Sequence, residues 1–234
     1  MRALLLDLDD TLLDYSGGVD ASWAEACRAH CGRGGLDSAA VIRAVAESRR
    51  SFWDDPERNR RERVNMPRAW QRIVEHALAC LGVSPDGLAR TIAEDFAARR
   101  RATLRLFPDT LACLERLRER GVPLGLVTNG DAAQQRDKVQ RFGLARFFGA
   151  IVIEGEFGAG KPDEVVYRHA LDTLGAEPPD AWMVGDNLDF DVAGAQRLGV
   201  RGVWLDRPGR GLPAGSPVRP DEIIRSLSAL TETG

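Results

Sequence analysis

The sequence predicts an α/β protein: a doubly wound parallel sheet that carries an inserted domain made only of helices. A short apolar strand at residues 4–8 opens the chain, and from about residue 106 short apolar segments alternate with amphipathic ones, a spacing typical of βαβ units. Between them, residues 15–105 show only helical periodicity. We therefore expect a core formed by residues 1–14 and 106–234, and an all-α domain at residues 15–105.

The first strand runs into a cluster of carboxylates. Residues 4–6 are all leucine, as expected of a strand buried on both faces. Asp7 and Asp9 follow, two residues apart, and in a strand that spacing points both side chains to the same side. Facing carboxylates repel each other, so a fold keeps them close only with a cation, a proton or a chemical task. A plain acidic turn that ends the strand is the alternative.

Helical patterns alone fill the inserted segment. The clearest helix lies at residues 67–81, where apolar side chains recur at helical spacing. The insertion follows directly after the acidic cluster, at the sheet edge whose loops overhang a ligand site, so we expect it to act as a lid. It holds 16 arginines against 12 acidic residues, which suggests an anionic substrate, and residues 58–63 are the first candidate contact. A packing subdomain with a solvated arginine face is the alternative.

The second half of the chain alternates between strands and helices, and with the first strand it predicts a parallel, Rossmann-like sheet. Glycine or proline punctuates most of the element ends. The predicted strands are residues 123–128, 150–153, 182–185 and 202–205. The predicted helices are residues 109–121, 131–142, 162–174 and 191–198, and, after a proline- and glycine-rich loop at 208–220, residues 221–230.

Four polar segments follow strands of this sheet, at residues 7–11, 127–130, 160–162 and 184–191. Loops after parallel strands open on one edge, so carboxylates, a hydroxyl, backbone amides and one ammonium should converge there. The ammonium belongs to Lys161, one of only two lysines in the chain, with Lys138, among 32 basic residues. This inventory suits phosphoryl transfer, because carboxylates bind Mg²⁺ while the hydroxyl, amides and lysine neutralise phosphate oxygens.

In order and spacing, the four segments resemble the haloacid dehalogenase-like hydrolases, and the match covers nearly the whole chain. The helical insertion resembles the type-1 cap of that superfamily. Residues 128–141 and 185–196 are similar to the branch that contains N-acylneuraminate-9-phosphatases and pyrimidine 5′-nucleotidases. The resemblance implies a Mg²⁺-dependent phosphoric monoester hydrolase that acts on a small phosphorylated metabolite, a sugar phosphate or a nucleotide, through an aspartyl phosphate.

The resemblance also implies catalytic and metal-binding roles. Asp7 would be the nucleophile, and Asp9 would protonate the leaving oxygen and then take a proton from the hydrolytic water. The carboxylates of Asp7 and Asp186 and the backbone carbonyl of Asp9 would bind Mg²⁺. Lys161 would offset the negative charge around the nucleophile and contact the phosphate.

Supporting roles follow from the same resemblance. Thr128 and the amide of Asn129 would hold phosphate oxygens. Asp191 would orient Lys161 or metal-bound water, and Thr11 would brace its loop rather than touch substrate. Asp189 is a further carboxylate with no assigned role. Asp10, whose side chain should face away, is left outside the site.

Other functions remain to be weighed. Haloacid dehalogenases lack an aspartate two residues after the nucleophile, so Asp9 favours a phosphate ester over a carbon–halogen bond. A phosphomutase uses the same pair of aspartates and stays open, as does a phosphate-binding regulator without catalysis. Residues 155–161 fit GxxxxGK, the start of a P-loop, but Pro162 stands where that motif needs serine or threonine.

Bulk properties indicate a cytoplasmic protein. The chain contains no apolar run of about 18 residues, so no transmembrane helix is expected, and the first apolar segment ends at Asp7, unlike a signal peptide. Four cysteines without CxxC spacing suggest free thiols. The net charge of −3 gives no reason to expect nucleic acid or a membrane surface as a partner. The oligomeric state is left open.

Overall fold

The computed structural model describes residues 2–32, 35–84 and 87–232. The remaining residues (1, 33–34, 85–86 and 233–234), which the expected domain ranges include, lie outside the described part. The chain divides into two compact units, one of Met1–Asp14 with Arg105–Gly234 and one of Tyr15–Leu104. Among the described residues, none of the helices is both long and apolar enough to span a membrane.

The unit Tyr15–Leu104 contains helices and no strand in its described residues. Its core is apolar and partly aromatic: the Trp23 ring stacks on Phe96 with centroids 3.7 Å apart, and Trp70 meets Phe96 edge-on at 5.1 Å. The predicted helix at 67–81 begins slightly earlier, because the Asn65 side chain accepts from the Arg68 N–H and caps the helix. The helices are α1 (Val19–Cys31), α2 (Ser38–Trp53), α3 (Pro56–Glu62), α4 (Met66–Cys80) and α5 (Leu88–Thr103).

The other unit is built on one parallel sheet, as the sequence predicts. Its strands are β1 (Ala3–Leu6), β2 (Leu124–Thr128), β3 (Ala150–Ile153), β4 (Ala181–Gly185), β5 (Arg201–Leu205) and β6 (Glu222–Ile224). They form a six-stranded sheet in the order β3-β2-β1-β4-β5-β6, and each pair of neighbours is parallel. From β1 the chain adds β2 and β3 on one side of the sheet, and then β4, β5 and β6 on the other side. In open α/β sheets, ligands bind at such a switch point, beyond the carboxyl ends of the strands.

The central strand β1 is buried on both faces. Leu4 pairs with Leu124 on one side and with Trp182 on the other, and all four residues of the strand have no exposed surface. Since successive side chains of a strand point to opposite faces, elements cover the sheet above and below. The helices of this unit are α6 (Thr110–Glu119), α7 (Ala132–Arg141), α8 (Glu154–Phe157), α9 (Glu164–Leu174), α10 (Gly194–Gln196) and α11 (Ala229–Glu232).

The N-terminal strand is shorter than predicted. It ends at Leu6, after which Asp9 bridges to Leu13 and Asp10 takes a left-handed backbone with φ of 61°. Asp7 and Asp9 therefore lie beyond the strand, and the period-two argument that points both side chains to one side does not apply to them.

Two predicted helices begin at other residues. The helix expected at 162–174 starts at Glu164, since Asp163 is in an extended conformation and serves as its N-cap. The helix expected at 191–198 is replaced by a π-helical turn, Leu188–Ala193, followed by α10. Asn187 caps this turn, because its side chain accepts from the backbone N–H groups of Asp189 and Phe190.

The prediction of a helix at residues 221–230 is wrong. Residues Glu222–Ile224 form β6 at the sheet edge, and only the short α11 follows. Ile223 and Ile224 are β-branched and suit a strand, and parallel pairing with β5 gives the backbone hydrogen-bond partners on one side. The loop before β6 is present as predicted. All four cysteines are free, with Cys27, Cys31 and Cys113 buried and Cys80 exposed.

Candidate active site

Three adjacent strands bring predicted site residues to one edge of the sheet. Asp7 directly follows β1, Thr128 is the last residue of β2, and Asp186 directly follows β4. Because β2, β1 and β4 are neighbours and run in the same direction, their carboxyl ends lie side by side. The site thus lies at the switch point of the sheet.

Lys161 joins two of the carboxylates. Its side chain is almost wholly buried, and its Nζ donates to Asp7 Oδ1 at 2.5 Å and to Asp191 Oδ1 at 2.6 Å. Burial alone would lower the pKa of Lys161, but the charges of Asp191 and Asp7 raise it, so the ammonium stays protonated. The Lys161 ammonium therefore stays next to Asp7 as a positive charge, held there by the two carboxylates.

Asp7, Asp186 and Asp191 form a compact group in which one oxygen of each lies within 4.8 Å of the others. Burial raises the pKa of Asp7, Lys161 opposes the shift, and the Asp191 charge adds to it. Burial and then repulsion from Asp7 and Asp191, with a smaller part from Asp10, raise the pKa of Asp186. One ammonium does not balance three carboxylates, and oxygen donors at this spacing suit a hard divalent cation. The residues present therefore fit Mg²⁺.

The Asp191 carboxylate packs against the backbone of Gly185, which has no side chain in its way. Its Oδ2 accepts from the Asn187 N–H at 2.9 Å, while its Oδ1 accepts from Lys161. A Cβ on Gly185 would lie 2.1 Å from that Oδ2, so the last residue of β4 has to be glycine. Asp189 is exposed and lies outside the group of carboxylates.

Asp9 faces a different lysine from Asp7. The Lys138 Nζ, on α7, donates to both carboxylate oxygens of Asp9, at 2.8 and 2.7 Å. The Gln135 side chain donates from Nε2 to Asp9 Oδ2 at 3.1 Å and to Thr128 Oγ1 at 2.7 Å, and its Oε1 accepts from Lys138 at 2.6 Å. We call these four residues, Asp9, Thr128, Gln135 and Lys138, the Asp9 cluster.

Asn129 fixes the backbone of the Lys161 loop. Its side-chain oxygen accepts from the Lys161 N–H at 2.7 Å, and its Nδ2 donates to the Lys161 carbonyl at 2.8 Å. Gly160 must be glycine, since a Cβ there would lie 2.4 Å from Glu154 Cδ. A Cβ on Gly155 would lie 2.5 Å from the backbone nitrogen of Ala132. The glycines of the GxxxxGK stretch thus permit close packing, and its first residues lie in the helix α8 rather than in a phosphate-binding loop.

Thr11 is buried and contributes through its backbone. Its carbonyl accepts from Arg207 Nη2 at 2.8 Å, and Arg207 also donates to both oxygens of Asp109 at 3.1 Å while lying 3.8 Å above the Phe107 ring. The Thr11 hydroxyl has no hydrogen-bond partner within the described ranges. Thr11 is held as part of the loop after β1.

This geometry can be compared with known proteins. A model of the haloacid dehalogenase-like hydrolases matches residues 1–199. The chain belongs to this family. The resemblance drawn from the four polar segments is thereby confirmed.

Curated relatives of this haloacid dehalogenase-like hydrolase include phosphatases. The phosphoserine phosphatase of Thermus thermophilus is 37% identical, over 97% of this chain and 96% of the relative. The glyceraldehyde 3-phosphate phosphatase of Methanopyrus kandleri is 31% identical over 99% of each chain. The mouse N-acylneuraminate-9-phosphatase is 38% identical over 53% of this chain and 50% of its own, in line with the branch expected from sequence.

Sequence reasoning missed several residues around the site of this hydrolase. The sequence motifs assign no role to Gln135, Lys138, Glu154 or Arg207. For Lys138 a signal exists, because the scarcity of lysine that draws attention to Lys161 applies to it equally. Both lysines of the chain prove to be buried against site aspartates. The other three residues carry no comparable signal in the sequence.

The helical unit, taken by itself, contains a polar cavity of about 110 Å³. Arg58 lies over the Phe52 ring at 5.4 Å and donates to Asp55, and Arg72 pairs with Glu62 at 2.5 Å. Arg58 belongs to the stretch proposed from sequence as a substrate contact. The cavity is lined by Ser48, Ser51, Phe52, Arg58, Arg72 and His76.

Proposed function

We propose that this chain is a Mg²⁺-dependent phosphatase that hydrolyses a small phosphorylated metabolite through an aspartyl phosphate on Asp7. The observation that supports it best is the bridge from Lys161 to Asp7 and Asp191, beside Asp186, at the switch point of the sheet. The phosphatase names of relatives that align over nearly the whole chain support the same activity. Phosphoserine, glyceraldehyde 3-phosphate and N-acylneuraminate 9-phosphate, the substrates in the relatives' names, define the metabolite class to test first.

The metal site would use ligands from two strand ends. The carboxylates of Asp7 and Asp186 and the backbone carbonyl of Asp9 would hold Mg²⁺. When bound, Mg²⁺ would withdraw charge from the phosphate oxygens and relieve the repulsion among the carboxylates. Asp191 serves this arrangement by holding Lys161, to which its Oδ1 is bonded.

The reaction would proceed in two displacements. In the first, an oxygen of Asp7 attacks phosphorus, a P–O bond to Asp7 forms, and the P–O bond to the leaving group breaks. In the second, water attacks the same phosphorus, the bond to Asp7 breaks, and inorganic phosphate leaves with Asp7 restored. Lys161 keeps a positive charge next to Asp7 in both steps, which opposes the rise in the Asp7 pKa that burial causes and balances the phosphoryl charge.

Asp9 would move the protons that the two displacements require. It gives a proton to the leaving oxygen in the first step and takes one from the attacking water in the second, so that its protonation state is restored after each turnover. Thr128 and the amide of Asn129 would bind phosphate oxygens by hydrogen bonds, with Lys161 as the charged partner. Thr11 would keep the loop that carries Asp9 in place.

A cytoplasmic location completes the proposal. The four cysteines are free, and three of them are buried, which suits a reducing compartment.

The test is phosphate release from a panel of phosphorylated metabolites, with Mg²⁺ and with a chelator. We expect turnover only with the metal, and release of inorganic phosphate rather than an isomerised sugar phosphate separates a phosphatase from a phosphomutase. Asp7→Asn keeps the shape of the side chain but removes the nucleophilic charge, so its turnover should fall to background. Asp189→Asn, on an exposed carboxylate near the same sheet edge, is the matched control. A near wild-type rate for Asp7→Asn would refute the covalent mechanism.

A further inference from the structure

We propose that Lys138 is a positioning residue that fixes the Asp9 carboxylate for proton transfer. This inference rests on the proposed phosphatase function, in which Asp9 is the acid and base. It assigns a role to a residue for which neither the sequence motifs nor the comparisons provide one.

The contacts define the orientation of the carboxylate. Lys138 Nζ lies 2.8 Å from Asp9 Oδ1 and 2.7 Å from Oδ2, so one ammonium holds both oxygens. Gln135 Nε2 adds a third donor to Oδ2 at 3.1 Å. Rotation of the carboxyl group would break at least one of these hydrogen bonds. The lysine thus sets the plane of the carboxylate as well as its place.

Burial of the Lys138 ammonium costs free energy, which a role in holding Asp9 would explain. Its side chain is only 5% exposed, whereas the Asp9 side chain retains 25% exposure. Removing an ammonium from water is unfavourable and is offset only by close charged or polar partners. Here the partners are Asp9 and Gln135, whose Oε1 accepts at 2.6 Å. The buried lysine holds a carboxylate that itself stays accessible, as a group that exchanges protons with substrate and water requires.

The same cluster connects proton transfer to phosphate binding. Gln135 Nε2 also donates to Thr128 Oγ1 at 2.7 Å. The same hydroxyl donates its own proton to the Asn129 carbonyl at 3.4 Å, a long contact that an oxygen of the phosphate would replace, since Thr128 is a proposed ligand of the phosphate. Gln135 therefore contacts both Asp9 and a proposed phosphate ligand, so it couples their positions. Lys138 in turn holds Gln135 through its side-chain oxygen.

The test compares substrates with different need for a proton on the leaving group. Lys138→Met removes the charge and keeps all but one atom of the side chain's length. The control is Arg136→Met, which changes a residue of the same helix that is ion-paired with Glu156. With the unactivated 2-glycerophosphate we expect Lys138→Met to lower kcat about 10- to 100-fold, the range for a misplaced catalytic group. With p-nitrophenyl phosphate the loss should stay below about threefold, since that leaving group hardly needs a proton. Arg136→Met should match the wild type on both.

A double-mutant cycle separates positioning of Asp9 from any other action. In an Asp9→Asn background, Lys138→Met should cost less than about twofold, because the group that it positions is gone. Lys138→Arg keeps the charge with a different reach, so it should show the same substrate-selective loss at a smaller size, and it serves if Lys138→Met does not fold. Equal losses on both substrates, or full additivity with Asp9→Asn, would overturn the inference while leaving the phosphatase assignment intact. A wild-type enzyme that hydrolyses neither of these substrates nor any metabolite of the panel would overturn both.

Discussion

The side chains of Asp7 and Lys161 lie 154 positions apart in the chain and share a hydrogen bond of 2.5 Å. Asp7 directly follows the central strand β1, and Lys161 lies in the loop that precedes α9. The parallel sheet brings them together, and Asp191 fixes the lysine from a third loop. A cation held in this way makes an ionised nucleophile possible in a buried site.

The first prediction concerns Asp9. Asp9→Asn removes the proton donor and should lower kcat for 2-glycerophosphate by about 10²- to 10⁴-fold, the usual contribution of general acid–base catalysis. For p-nitrophenyl phosphate the loss should be about tenfold or less. Steady-state kinetics on both substrates, with saturating Mg²⁺, provides the measurement. An equal loss on both would mean that Asp9 acts through structure or metal binding alone.

The second prediction is a pH-dependent response to Mg²⁺. The pKa values of Asp7 and Asp186 are raised on folding, chiefly by burial, so the folded state binds more protons than the unfolded one between the ordinary aspartate pKa near 4 and the raised values. The free energy of unfolding of the metal-free protein should therefore fall as pH rises through that window. A bound cation offsets the repulsion, so Mg²⁺ should raise Tm more at pH 8 than at pH 5.

Differential scanning fluorimetry over this pH range measures the effect. At a Mg²⁺ concentration 100 times its Kd, the stabilisation should be about 2.7 kcal/mol, or roughly 5–10 °C for a protein of this size. Asp186→Asn should weaken the Mg²⁺ shift and flatten the pH dependence. Wild-type shifts that are the same at both pH values would contradict the prediction.

The third prediction concerns stability at Lys161. Lys161→Met leaves Asp7 and Asp191 buried without their cation, and removal of one partner of a buried ion pair costs about 3–5 kcal/mol. Urea unfolding at pH 8 should show a loss of this order. The loss should shrink at pH 5, where protonation of Asp7 removes one of the uncompensated charges. Adding Asp191→Asn to Lys161→Met should recover part of the stability, and a further loss instead would argue against the ion pair.

The fourth prediction tests the arginines of the helical unit. Arg58 and Arg72 line its polar cavity, and the charge balance of the unit suggests an anionic or strongly polar group on the substrate. Arg58→Gln or Arg72→Gln should raise KM for the best metabolite by the equivalent of about 1.5–3 kcal/mol, the value of a charge-assisted hydrogen bond, while sparing p-nitrophenyl phosphate. Arg90→Gln, on the exposed face of α5 and paired with Glu94, is the control. Parallel loss of both activities would assign these arginines to folding.

Sequence reasoning succeeded where a feature is local or repeated. The apolar runs predicted the strands β2 to β5 to within one residue, and the alternation predicted the parallel sheet. It failed at residues 221–230, because a short apolar pattern fits a helix or an edge strand and only the neighbouring β5 decides between them. The orientation of Asp9 could not be predicted either, since its partner Lys138 is 129 residues away and the chain turns directly after β1.

The sequence predicts which residues come together at the site but not how their side chains are oriented. Motif order indicated that Asp7, Lys161 and Asp186 should converge, and the structure brings these three together. Spacing alone suggested that Asp7 and Asp9 share a side, whereas each is bonded to its own lysine. Tertiary contacts decide such details, and a single sequence does not record them.

The burial of both lysines has a practical consequence for chemical labelling. With Lys138 and Lys161 at most 5% exposed, the surface offers no lysine amine to succinimide esters or amine crosslinkers. Modification of either lysine requires the site to open. The rate of lysine acylation, measured by mass spectrometry, therefore reports the rate at which the site opens. Ligands that close the site should slow acylation of the two lysines.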